Sequence, residues 1–129
     1  MAEATLLLIN STIYDFQLSY QHQYQMENWD FPALIATGKS AQIPIGFHHG
    51  LYSMDDGAEA TYSLKGGSSQ FTLQARAPDR DFRLYFDGSD LQNDGHLHPR
   101  ELLGWTVNQK LVLWISGTNT GYVVRHFWR

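Results

Sequence analysis

The sequence has no cysteine, which removes disulfide frameworks, thiolate metal sites and cysteine nucleophiles together. A chain of 129 residues does not need such staples. At this length folding buries roughly two-thirds of the surface that the unfolded chain exposes, enough for an apolar core, and one domain spanning 1–129 is expected. Basic charge is also short. Nine Lys and Arg stand against 13 Asp and Glu, a net charge of −4, so neither the basic face of a nucleic-acid binder nor a polybasic membrane tether is expected. Long apolar runs are missing as well: Ala4 to Ile9 is too short for a transmembrane helix or a signal-peptide core, and no basic segment precedes it. The expectation is a soluble chain, cytoplasmic or released without a conventional secretion signal.

Helical periodicity is the last thing lacking, because nearly everywhere the apolar period is two. Thr5 to Ile9 reads as a buried strand, with Asn10, Ser11 and Thr12 supplying turn chemistry. Tyr14, Phe16, Leu18 and Tyr20 then share the inward parity of a half-buried strand, and the polar stretch Gln21 to Asp30 reads as a loop. After Thr37-Gly38-Lys39-Ser40, the segment Ala41 to Phe47 reads as a strand that Pro44 makes an edge or interrupts. The clearest hairpin pairs Ala58, Ala60, Tyr62 and Leu64 with Phe71, Leu73 and Ala75 across a Gly66-Gly67 turn. Phe82, Leu84 and Phe86 give another strand. Leu111, Leu113 and Ile115 pair with Tyr122, Val124, His126 and Trp128 in a second hairpin around 117–121. About seven or eight short strands with turns between them and little helix predict an all-β chain, an antiparallel β-sandwich or barrel, with the sandwich preferred.

Asp90 to Glu101 carries the most specific spacing. A calcium loop of the EF-hand type takes oxygen donors at its first, third and fifth positions, Gly at the sixth, a carbonyl at the seventh and a carboxylate at the twelfth. Asp90, Gln92, Asp94, Gly95, His96 and Glu101 occupy those places, which makes calcium the candidate cofactor. Gln92 is neutral where a carboxylate is commoner, Asp87-Gly88-Ser89 breaks any entering helix, and no second loop exists to pair with this one. A surface loop turning at Asp94-Gly95 is the plainer alternative. His96 and His98 have the spacing to share one side of an extended segment and hold zinc, but no third ligand is identifiable.

Catalytic motifs are absent. There is no nucleophile elbow, P-loop, dinucleotide fingerprint or H-E-x-x-H, and Asp55-Asp56 and Asp79 with Asp81 read as solvated turns, so the chain is expected not to be an enzyme. The aromatic side chains, 14% of residues, are the better lead. Tyr14, Phe16, Tyr62, Phe71, Phe82 and Phe86 sit on inward parities and are assigned to the core. Tyr20, Tyr24, Trp29, Tyr52 and Trp105 fall in or beside turns, where amphipathic rings suit stacking on sugars or insertion among lipid headgroups. These are the candidate ligand-binding residues.

Several short motifs follow one another in a suggestive order. Leu7-Leu8-Ile9-Asn10-Ser11-Thr12 looks like an opening strand with an Asn-Thr turn, and Trp29-Asp30-Phe31-Pro32 like a Trp-Pro segment. Ile35-Ala36-Thr37-Gly38 looks like a Gly-containing turn, and Gly57-Ala58-Glu59-Ala60-Thr61-Tyr62 like the strand that follows it. In this order, over about residues 5 to 86, the chain resembles the aegerolysin-like proteins and their actinoporin-like sandwich relatives. After the Phe71 strand it departs from their Trp-Asp-Asn-Pro-like stretch with Ala77-Pro78-Asp79-Arg80. The resemblance implies an antiparallel sandwich and a membrane lipid headgroup as ligand. It also implies a pore-forming partner protein in a cytolytic or defence setting, and no catalytic residues. Three readings stand: a lipid or glycan headgroup binder, a calcium-stabilised binding protein, and a small hydrolase. A homo-oligomer paired through a strand edge near Pro44 or the last strand is a further expectation. Asn10-Ser11-Thr12 is a glycosylation sequon for a chain on a secretory route.

Overall fold

A computed structural model describes residues 2–24, 26–47, 58–64, 69–76, 83–87, 91–93, 103–104, 110–118 and 121–128. In chain order the strands are β1 (Ala2–Thr12), β2 (Phe16–His22), β3 (Met26–Trp29), β4 (Leu34–Ile35), β5 (Ser40–Phe47), β6 (Ala58–Leu64), β7 (Gln70–Arg76), β8 (Arg83–Asp87), β9 (Leu91–Asn93), β10 (Leu103–Gly104), β11 (Lys110–Thr118) and β12 (Gly121–Trp128). They form two six-stranded sheets, ordered β3-β5-β1-β11-β12-β9 and β10-β8-β7-β6-β2-β4. The inward residues of both sheets belong to one apolar cluster, from Leu6, Leu8, Leu111 and Leu113 to Phe16, Tyr62, Phe71 and Leu84. This is the all-β sandwich that the alternation predicts.

Two features correct the expected pattern. The strands among the described residues number twelve rather than seven or eight, because β3, β4, β9 and β10 are two to four residues long, too short for alternation to reveal. All four close the sheet edges, where short strands limit pairing with other chains. Nor is the sandwich wholly antiparallel: β1 pairs in parallel with β11, and β12 with β9.

The β6–β7 hairpin follows its sequence pattern residue by residue. Ala58, Ala60, Tyr62 and Leu64 are buried, as are Phe71, Leu73 and Ala75 on the returning strand. In β2 the expected parity holds only to Leu18. The register against β6 shifts between Leu18 and Tyr20, a bulge that moves Tyr20 from the inward to the outward side, where it is 51% exposed. Gln21 to Asp30 is not a loop throughout, since β2 continues to His22 and β3 pairs with the end of β5. Pro44 lies one residue beyond the last β3 pairing, Trp29 with Ile45. There β5 retains only β1 as its neighbour, and a missing backbone donor is tolerated.

Inside, the rings form a connected series. Phe71 meets Phe16 edge-on with centroids 5.2 Å apart and stacks on Tyr62 and Phe86, each at 5.6 Å. Phe31 joins Tyr62 to Trp29. The Tyr62 hydroxyl donates to the Pro32 carbonyl at 2.6 Å. Burial, reinforced by the Asp30 carboxylate, raises the Tyr62 pKa well above its ordinary value. The sign of the linkage is fixed. Below pH ~10 the phenol is neutral in both states, and above it the unfolded chain releases a proton that the folded chain retains, so stability falls as pH rises. Tyr62→Phe is expected to cost about 1 kcal/mol at neutral pH and to flatten the alkaline loss of stability. Urea titrations at neutral and alkaline pH measure both; an unchanged alkaline slope would contradict the assignment.

Candidate functional site

Strand register and burial single out the outer face of the first sheet. Most antiparallel sandwiches turn polar side chains outward, yet β1 and β11 are apolar on both parities. Leu6, Leu8, Leu111, Leu113 and Ile115 point into the core. The opposite parity carries Leu7 and Ile9 on β1, and Val112 and Trp114 on β11. The register assembles them into rows: Leu7 pairs with Val112 and Val112 with Phe127, while Ile9 pairs with Trp114 and Trp114 with Arg125. Val112 is completely buried although it lies outside the core cluster. It marks a second, small apolar cluster on the outside of the sandwich.

Trp114 is 40% exposed and Phe127 38%. The Trp114 indole N–H donates to Ser11 Oγ on the neighbouring strand at 2.8 Å. That bond ties the ring to β1, so little side-chain freedom remains to be lost on binding. Lys110, on the same parity of β11, and exposed Arg125 add positive charge. Among the described side chains of this face there is no carboxylate. Glu3 shares the parity at the start of β1, and its side chain lies outside the described set.

The second sheet has an outer face of the opposite character. Tyr20 pairs with Thr61, which pairs with Thr72; His22 pairs with Glu59, then Gln74, then Tyr85. Thr61 and Thr72 share a hydroxyl hydrogen bond of 2.8 Å, and Gln74 Nε2 donates to Glu59 Oε1 at 2.6 Å. Ser19 Oγ donates to the Thr61 carbonyl. These side chains are polar or amphipathic, with their hydrogen-bonding groups tied together across strands.

The residues expected to bind ligand separate accordingly. Tyr20 and Tyr24 are exposed, the latter at 47% just after β2. Trp29 is not a surface ring. It is 1% exposed, lies edge-on to Phe31 at 4.7 Å, and donates from its indole N–H to the Glu59 carbonyl of the facing sheet at 3.0 Å. Its place at the end of β3, an edge strand folded over the core, accounts for the burial. Tyr52, Trp105, Asp90, Asp94, His96 and Glu101 lie outside the described residues. Of the calcium-spaced segment, 91–93 forms β9, which carries Gln92 with its side chain outside the described set.

Asn10 and Thr12 are core-facing residues of β1 rather than turn residues. Asn10 Nδ2 donates to the carbonyls of Tyr14 and Ile35, both at 2.9 Å, and its Oδ1 accepts from Thr12 N and Thr12 Oγ1. Its backbone N–H donates to the Lys39 carbonyl, and its carbonyl accepts from Gly38 N. Gly38 has φ +78°, a conformation that favours glycine at this turn. Thr37 Oγ1 donates to the Thr12 carbonyl. The sequon asparagine is thus fully buried and spent on structure; the folded chain does not present it for modification.

Sequence reading missed Lys110, Val112 and Trp114. The signal was there in Leu111 to Ile115, which alternates apolar with apolar instead of apolar with polar. Only the cross-strand partners show that the second parity meets Leu7, Ile9 and Phe127 rather than another layer of core. Among the described residues no helix is long and apolar enough to cross a membrane. Compared with known proteins, the chain matches no family model and no curated sequence.

Proposed function

We propose that this protein is a non-enzymatic recognition module that docks on a membrane lipid surface through the outer face of its first sheet. The observation that carries the reading is the pair of exposed rings on the outer parity of the first sheet, Trp114 and Phe127, beside half-buried Leu7 and Ile9. Apolar side chains on a solvent face are costly in water and favourable in the headgroup region, where tryptophan is enriched. The likeness to aegerolysin-like sandwiches supports the same ligand class, and with it a pore-forming partner protein.

Carbohydrate binding is the second reading, and it uses the other sheet. Tyr20 stands half-exposed over cross-linked Thr61–Thr72 and Glu59–Gln74 pairs, offering a ring to a sugar face and fixed polar groups to its hydroxyls.

One vesicle co-sedimentation and glycan-array experiment separates the two. Trp114→Ala and Phe127→Ala are each expected to weaken vesicle binding about tenfold, from the loss of roughly 1.5 kcal/mol of apolar burial per ring. Their melting temperatures should stay within a few degrees of the parent. Vesicle binding that survives both substitutions refutes the lipid reading; glycan binding that is lost in Tyr20→Ala alone replaces it with the second. Each arm is run with chelator and with millimolar calcium, so that a requirement for the loop from Asp90 to Glu101 is read in the same assay.

A further inference from the structure

We propose that this face selects loosely packed bilayers, highly curved or rich in unsaturated tails, by lodging Trp114 below the headgroups, with Ser11 as the positioning residue that permits that depth. The inference rests on the lipid reading above and names its ligand class.

An interfacial tryptophan ordinarily stays at the headgroup level, because its indole N–H takes a wet partner while the ring takes an apolar one. Trp114 differs. Its N–H donates to Ser11 Oγ at 2.8 Å, and Ser11 lies on β1 two residues beyond Ile9, the residue that Trp114 pairs with. A polar group carried into an apolar layer costs little when its hydrogen bond goes with it and much when the bond is left behind. The ring therefore takes its acceptor along as it sinks. Ser11 is itself exposed, and its hydroxyl hydrogen can be given to a lipid ester oxygen.

The neighbouring side chains have the same character. Leu7 and Ile9 are half-buried and Phe127 is exposed, and none of the three side chains carries a polar atom. With the indole donor engaged, these four offer nothing to a particular headgroup. What they sense is access to the tails beneath, which depends on gaps between headgroups that curvature and unsaturated tails widen.

Area argues against a protein as the occupant. The four side chains cover three strands and a few residues of strand length, about 200 Å² at the usual spacings, against about 800 Å² per partner in a stable interface. A bilayer needs no such fitted area, because each ring gains by immersion on its own.

The test is co-sedimentation of the full chain with phosphatidylcholine vesicles in three forms: small with unsaturated tails, large with unsaturated tails, and large with saturated tails. The same three forms are repeated with about one-third phosphatidylserine. The parent is expected to bind the first form about tenfold more tightly than the last, from the added apolar surface it can bury. Ser11→Ala should lose about the same factor by leaving the indole donor unsatisfied, and Ser11→Thr should keep it by retaining a hydroxyl. Depth is read from quenching of tryptophan fluorescence by bromine at mid-tail, with Trp114→Phe subtracting the other tryptophans. The Trp114 signal should be quenched in the parent and largely spared in Ser11→Ala. Both Ser11 variants are expected to melt with the parent, and the comparison of vesicle forms needs no variant at all. Equal binding to loose and tight forms overturns the packing assignment and leaves lipid docking standing. A Ser11→Ala protein that binds and is quenched like the parent also overturns it. Binding that follows phosphatidylserine and ignores the tails assigns the contact to headgroup charge and overturns it too. Binding to none of the six vesicle types overturns the lipid reading itself. A stable dimer of the free protein that Trp114→Phe dissociates gives the face a second copy of this chain as its occupant and overturns the proposal.

Discussion

Asn10→Ala is expected to lower the unfolding free energy by about 4 kcal/mol, because it strands two buried polar groups at once and leaves a cavity. The Ile35 carbonyl loses the Asn10 donor and the Thr12 N–H its acceptor, while the Thr12 hydroxyl and the Tyr14 carbonyl keep each other at 2.9 Å. Each such loss costs about 1–3 kcal/mol before relaxation or water entry. Against a typical total of about 5–15 kcal/mol, this one residue decides whether the chain is comfortably or barely folded. Asn10→Asp distinguishes hydrogen bonding from packing. The aspartate is nearly isosteric, but it points a carboxylate oxygen at two carbonyls, so it should be worse than alanine at pH 7. As acid restores a proton to the carboxyl the gap should narrow. Thr12→Val, which removes one hydroxyl at constant shape, should cost only about 1–2 kcal/mol. Urea midpoints rank the three, and an aspartate variant milder than the alanine one would show that Asn10 merely fills space.

Trp29→Ala is expected to cost about 5 kcal/mol. Removing a buried tryptophan costs about 3–5 kcal/mol in lost contacts and cavity, and here it also removes the indole hydrogen bond to the Glu59 carbonyl. The ring holds β3 against β6 across the two sheets and abuts Phe31, so the edge of the sandwich loosens with it. Cooperative thermal unfolding should move down by about 15 °C or disappear. Trp29→Phe should recover most of that loss by restoring ring contact. Trp114→Ala, on the outer face, should leave the transition nearly in place. A Trp29→Ala protein that melts with the parent would remove Trp29 from the core and return it to the surface.

These two residues also show where sequence reading succeeds. The β6–β7 hairpin was legible because each inward position is apolar and each outward one is not, so the period alone fixes both strands and their faces. Trp29 was not, since four residues of β3 give no period and its burial depends on pairing with Ile45. Asn10 and Thr12 looked like turn chemistry because polar residues on an inward parity imitate a strand end. Nothing local announces the carbonyls of Tyr14 and Ile35 that satisfy Asn10. The outer apolar face was hidden for a related reason. An apolar residue facing out and an apolar residue facing in are the same letter, and only the partner strands tell Val112 from Leu111. The calcium-spaced segment remains an inference from spacing, with only 91–93 placed, as a strand.

The parallel pairing of β1 with β11 sets an order of events during synthesis. β1 lies between β5 and β11 in the first sheet, and Leu8 waits for Leu113. A ribosome making this chain releases the hairpin of β6 and β7 long before it supplies β11. The second sheet can therefore gather its rings while one side of β1, apolar on both faces, still has no neighbour. Such non-local closure is slow, and an unpaired apolar strand is prone to join another chain. Nascent copies crowded on one message would be most exposed to that hazard, and the arrival of the last two strands ends it.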